Sequence, residues 1–86
     1  MTYKIEFTRA AGKQLAGIQK SDTQKLAKRI DQLAANPFPP GYEKLKGQGD
    51  LYRVRQGDYR ILYSVFENQL LVLIVKIGHR REVYRG

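Results

Sequence analysis

Polar and apolar residues alternate at both ends of this chain and follow a helical period between them. Tyr3, Ile5 and Phe7 alternate with Lys4 and Glu6, which predicts a half-buried strand. Thr8 is placed to cap a helix running to about Ile18, with Ala11, Leu15 and Ile18 on one side. Ser21 and Gln24 have capping-box spacing and predict the opening of a second helix. Its apolar stripe is Leu26, Ile30, Leu33 and Ala34, while Lys25, Lys28, Arg29 and Asp31 face outward. Asn36-Pro37 ends it, since proline disfavours helical geometry in the residue before it.

Pro37-Phe38-Pro39-Pro40-Gly41 reads as a stiff connector within one domain spanning 1–86, because each flanking half is too small to fold alone. Strands are predicted near 51–56, 59–66 and 69–77, with a short last one near 82–84. Leu70 to Val75 is apolar on both faces, the mark of a central strand covered on both sides. The order β-α-α-β-β-β gives an α+β fold: two N-terminal helices packed on one face of a mostly antiparallel sheet of four to five strands.

If Gly57-Asp58 form a two-residue turn, Arg55 lies opposite Arg60, Arg53 opposite Leu62 and Tyr52 opposite Tyr63. Arg53, Arg55 and Arg60 then share one face. Like charges directly opposite each other disfavour folding by up to ~1 kcal/mol, a cost that makes sense if an anion sits between them. The plain alternative is that both side chains splay into water.

Charge sharpens this picture. Sixteen Lys and Arg against eight Asp and Glu give +8, rising from +3 over residues 1–43 to +5 over 44–86. Such a balance favours nucleic acid or another acidic partner. With no cysteine and one histidine, disulfides, thiolate zinc sites and multi-histidine metal sites are excluded. No nucleotide-binding glycine loop, nucleophile triad or paired carboxylates stand out, so no cofactor and no metal are expected. The N-terminus lacks a signal-peptide core and no apolar run is long enough to span a bilayer, which implies a cytoplasmic protein without membrane contact.

Arg80 and Arg81 cannot both face one way on a continuing strand. The expectation is that Arg80 joins Arg55 and Arg60, leaving Arg81 to solvent or an acidic partner. Tyr84, four residues on, shares the face of Arg80 if the segment is extended; it is either a stacking or phosphate contact or an aromatic plug at the sheet edge. His79 is the obvious proton carrier near the cluster, because arginine stays protonated. Lys44 and Lys46 are phosphate grips from a basic loop, or simply solvated.

At these residues the chain resembles the RelE/ParE superfamily of type II toxin–antitoxin toxins, in its RelE branch. The resemblance rests on Lys44-Leu45-Lys46-Gly47, Tyr52-Arg53-Val54-Arg55, Gly57-Asp58-Tyr59-Arg60-Ile61-Leu62-Tyr63 and Gly78-His79-Arg80-Arg81-Glu82-Val83-Tyr84. It implies an endoribonuclease that cuts messenger RNA in the ribosomal A site. It also implies a RelB-like antitoxin, acidic and partly disordered, through which alone the complex binds operator DNA. Carried over by position, Arg53 and Arg55 stand where relatives carry lysines, one of them a proposed general base. Arg60 stabilises the reacting phosphate, Arg80 binds it, Tyr84 stacks on or orients the substrate, and Lys46 grips the RNA. Since arginine is a poor base, suspicion moves to His79. The implied chemistry is metal-independent attack of a 2′-hydroxyl, leaving a 2′,3′-cyclic phosphate and a 5′-hydroxyl. Two alternatives remain: a ParE-like inhibitor of DNA gyrase that cuts nothing, and a plain RNA- or ribosome-binding module.

Overall fold

Thr8 ends the first strand and starts the first helix in a single residue. Its Oγ1 accepts the Ala11 N–H at 3.1 Å, as the predicted cap requires, and donates to the Val75 carbonyl at 2.8 Å. In the computed structural model, which describes residues 2–47 and 49–83, this junction joins β1 (Lys4–Phe7) to α1 (Arg9–Ala16). The chain continues through α2 (Lys20–Ala35), β2 (Glu43–Lys44), β3 (Leu51–Gln56), β4 (Tyr59–Phe66), a 3-10 turn at Glu67–Gln69, β5 (Leu71–His79) and α3 (Arg80–Val83).

Among the described residues five strands form one sheet in the order β1-β5-β4-β3-β2. Every pairing is antiparallel except β1 with β5, so the sheet is mixed. The β3–β4 register is the predicted one, with Arg55 opposite Arg60 and Gln56 opposite Tyr59. Gly57 carries the turn with φ of 60°, a conformation glycine adopts without strain.

Residues paired across strands share a face. Val54, Ile61, Tyr63, Val72, Ile74 and Ile77 therefore look one way, and all pack with Ala11, Leu26, Ile30 and Leu33 into the core. Both long helices lie on that face, as expected. Ile74 and Ile77 share it although three residues apart, because the β4–β5 register shifts at Leu62/Tyr63 and Val75 is an extra residue. Beyond Ile74, β5 has outrun β1. Its exposed ladder groups are taken by α1 instead: Thr8 holds the Val75 carbonyl and Gln14 Oε1 accepts the Ile77 N–H at 2.7 Å.

The connector packs as a stiff strap. Phe38 and Tyr42 lay rings on Tyr52 at centroid distances of 5.3 and 6.0 Å, and buried Tyr63 donates to the Pro37 carbonyl at 2.7 Å. Burial pushes the Tyr63 phenol well above its ordinary range, with the Arg29 charge pulling partly back.

Several expectations are corrected. The second helix opens at Lys20 behind Gln19, with no side-chain cap, so Ser21 lies inside it. Arg29 is half-buried rather than outward, donating to Gln32 at 3.0 Å. Lys44, read as part of a basic loop, belongs with Glu43 to an edge strand, β2, paired with β3. The segment expected as a strand near 82–84 enters a helical turn at Arg80, whose N–H bonds the Asp58 carbonyl at 2.7 Å. The aliphatic strand β5 is buried on the helix side only; Leu71 and Leu73, on the other face, are half-buried.

Candidate nucleic-acid interface

The face that α1 and α2 leave open collects the cations. Arg53 and Arg55 on β3, Arg60 on β4 and Lys76 on β5 all project there, since Arg55 pairs with Arg60 and Leu62 pairs with both Arg53 and Lys76. Gly78, opposite Arg60, places no side chain among them.

The three arginines are held, not loose. Arg60 is only 7% exposed: its Nη1 donates to the Gly57 and Tyr59 carbonyls at 3.1 and 3.0 Å. Its Nε–H is buried without a hydrogen-bond partner among the described residues. The Asp58 carbonyl between those two takes the Arg80 N–H. One tight turn thus fixes both the Arg60 guanidinium and the backbone of Arg80. Arg53 and Arg55 meet Glu43 on the edge strand, at 2.9 and 3.5 Å. The Arg53 side chain is nearly buried and that of Arg55 is mostly exposed.

The predicted site residues divide accordingly. Arg53, Arg55 and Arg60 come together, and Arg80 starts α3 beside their turn, exposed. Arg81 is exposed on the same helical turn. Lys44 is exposed but pairs with Tyr52, which puts it on the helix-bearing face at the sheet edge; Lys46 is exposed in the following loop. Tyr84 lies outside the described residues.

His79 is not among the arginines. It pairs with Tyr59 on the helix-bearing face, edge-on to that ring at 5.9 Å and 81°, and lines a cleft of about 390 Å³ with Asp22 and Lys25. Its Nδ1 accepts the Arg81 N–H at 3.4 Å. The extra residue at Val75 is the physical reason: uninterrupted alternation from Val72 and Ile74 would carry His79 to the arginine face.

Two residues on the open face escaped the sequence reading. Glu43 is the carboxylate among the arginines, and Lys76 joins them from β5. Lys76 had a signal, as the lone charge in an otherwise aliphatic run, but its side depends on the bulge. Glu43 had none, because a two-residue strand leaves no periodicity to read.

The sequence matches the family model of the ParE toxin of the type II toxin–antitoxin system parDE over residues 5–84. It is 31% identical to toxin RelE1 of Methanocaldococcus jannaschii over 89 residues, covering 100% of this chain and 99% of that one. The mRNA interferase toxin RelE of Escherichia coli K12 is 27% identical over 88 residues, covering 98% of this chain and 92% of its own. A chain of the archaeal RelE–RelB complex from Pyrococcus horikoshii OT3 superposes with a TM-score of 0.81 at 33% identity, over 100% of both chains. The chain therefore belongs to the ParE toxin family: it is the toxin of a type II toxin–antitoxin system, on the RelE branch of the RelE/ParE superfamily.

Proposed function

We propose that this toxin is an endoribonuclease that cuts messenger RNA in the ribosomal A site without a metal ion. The observation that carries the reading is the convergence of Arg53, Arg55 and Arg60 on one sheet face, with Arg80 anchored by its backbone to the turn between the last two. A scissile phosphate between Arg55 and Arg60 answers the electrostatic cost of facing two guanidiniums across the ladder. One of its oxygens also gives the unpaired Arg60 Nε–H an acceptor. The 2′-hydroxyl attacks that phosphate, and the arginines stabilise the charge of the pentavalent transition state as preorganised donors. The products are a 2′,3′-cyclic phosphate and a 5′-hydroxyl. Support for metal independence comes from the residues: among those described, no three His, Asp or Glu side chains gather to hold an ion.

Transcript ends mapped after brief expression test this. New ends in register with codons, lost with Arg80→Ala, are expected. DNA breaks with intact messages would instead show gyrase poisoning, and ribosome binding with intact messages a plain binding module.

The partner is a cognate antitoxin. In solved relatives RelE is bound by RelB. Here an acidic antitoxin segment covers the open arginine face, so affinity falls with added salt, exposed charges being screened over ~8 Å at physiological ionic strength. Affinity equal at low and high salt would point to an apolar interface instead.

A further inference from the structure

Cleavage by a 2′-hydroxyl moves two protons: one leaves O2′ and one arrives on the departing O5′. None of Arg53, Arg55, Arg60 and Arg80 is suited to either transfer, because a guanidinium keeps its proton throughout. His79 is turned to the opposite face, against Tyr59. Beside those arginines on the open face stands Lys76, a cation that can release a proton; Lys4 shares the face but pairs with Leu71, at the far end of β5.

We infer that Lys76 is the general acid of this site, protonating the 5′-oxygen as the P–O5′ bond breaks; the inference rests on the ribonuclease reading above. Three observations carry it. First, the register sets Lys76 opposite Leu62, and the neighbouring Ile77 is buried in the core at 1% exposure, so Lys76 projects to the open face. Second, it is the diagonal neighbour of Arg60, which pairs with Gly78 two residues along β5. Diagonal neighbours lie ~7–8 Å apart, within reach of a long side chain, and Gly78 leaves the space between them unfilled by any side chain of its own. Third, Lys76 is half-buried, yet its ammonium makes no ion pair or side-chain hydrogen bond among the described residues. Arg53 and Arg55, by contrast, meet the Glu43 carboxylate, and Arg60 donates to two turn carbonyls.

In the balanced step, O2′ bonds to phosphorus and releases its proton to water. The P–O5′ bond breaks, and Lys76 Nζ gives a proton to O5′. The neutral amine then regains a proton from solvent. Lysine thus does from β5 what the arginines on β3 cannot.

The test is single-turnover cleavage of message in programmed ribosomes, with an ordinary phosphodiester and with a 5′-bridging phosphorothiolate, whose thiolate leaves without a proton. Lys76→Arg keeps the charge and removes the acid; Lys76→Gln removes both. On the ordinary ester both variants are expected to be slower by ~10²-fold or more, the usual worth of a general acid. On the sulfur ester Lys76→Arg should match wild type within about threefold, with unchanged thermal melting. Wild-type speed in Lys76→Arg on the ordinary ester, or a defect of equal size on both esters, would overturn the inference and leave the ribonuclease reading standing. A wild-type protein that cuts neither ester would overturn the ribonuclease reading itself.

Discussion

The two faces of the sheet are built by opposite rules. On the helix side Val54, Ile61, Tyr63, Val72 and Ile74 are fully buried against Leu26 and Leu33, and shape complementarity fixes their positions. On the open side, guanidiniums are fixed by hydrogen bonds to the Gly57 and Tyr59 carbonyls and by ion pairs to Glu43. Like charges facing each other there do not favour folding. With the proposed cleavage on that side, stability and chemistry are separated by one layer of backbone, and substitutions should sort by side.

The largest effect belongs to the packed face. Ile61→Ala should lower unfolding stability by ~2–5 kcal/mol, read from urea midpoints, and reduce cleavage only in proportion to unfolded protein. Arg55→Ala should do the reverse: cleavage falls about a hundredfold while the urea midpoint barely moves. A joint loss of activity and stability in that variant would break the comparison.

Gln14→Leu tests the seam where α1 completes the β5 ladder. It strands the buried Ile77 N–H and should cost ~1–3 kcal/mol, without affecting RNA affinity. Tyr63→Phe removes the bond to the Pro37 carbonyl and should cost ~1 kcal/mol at neutral pH. The same tyrosine sets an alkaline limit. Since burial raises its folded pKa, the native chain keeps the phenolic proton where the unfolded chain has lost it. That contribution is complete below pH ~10, the ordinary tyrosine range, and declines as pH rises beyond it. Urea titrations from pH 8 to 11 should show the slope in wild type and none from this group in Tyr63→Phe.

Glu43→Gln gives the smallest change. Freed from a partly exposed carboxylate, Arg53 and Arg55 should bind RNA a few-fold more tightly at low salt, the scale of a surface pair. An unchanged affinity would show that Glu43 orients the arginines without competing with phosphate.

Much of this was legible from the amino-acid order. Thr8 announced its helix, and the two-residue Gly57-Asp58 loop fixed the β3–β4 register, because a turn that short permits few pairings. The arginine trio followed from that register alone. What escaped was either a choice between neighbouring caps or a matter of partners distant in sequence. Ser21 and Gln24 have cap spacing, yet α2 begins behind Gln19. Arg80 begins a helical turn rather than continuing a strand because Asp58 and His79 accept its first amides. In β5 the uniformly aliphatic run from Leu70 to Val75 hides any change of phase, so the sides taken by Lys76 and His79 could not be read from spacing.

The surplus residue at Val75 acts as a frame marker for everything downstream. Were it to take a regular place in the ladder, the ribbon beyond would turn over: a lysine driven into oil, an isoleucine pushed into water, and an imidazole trading places with the gap at Gly78. Flattening this one bulge would thus exchange the faces of Lys76 and His79 while leaving every guanidinium on β3 and β4 in place.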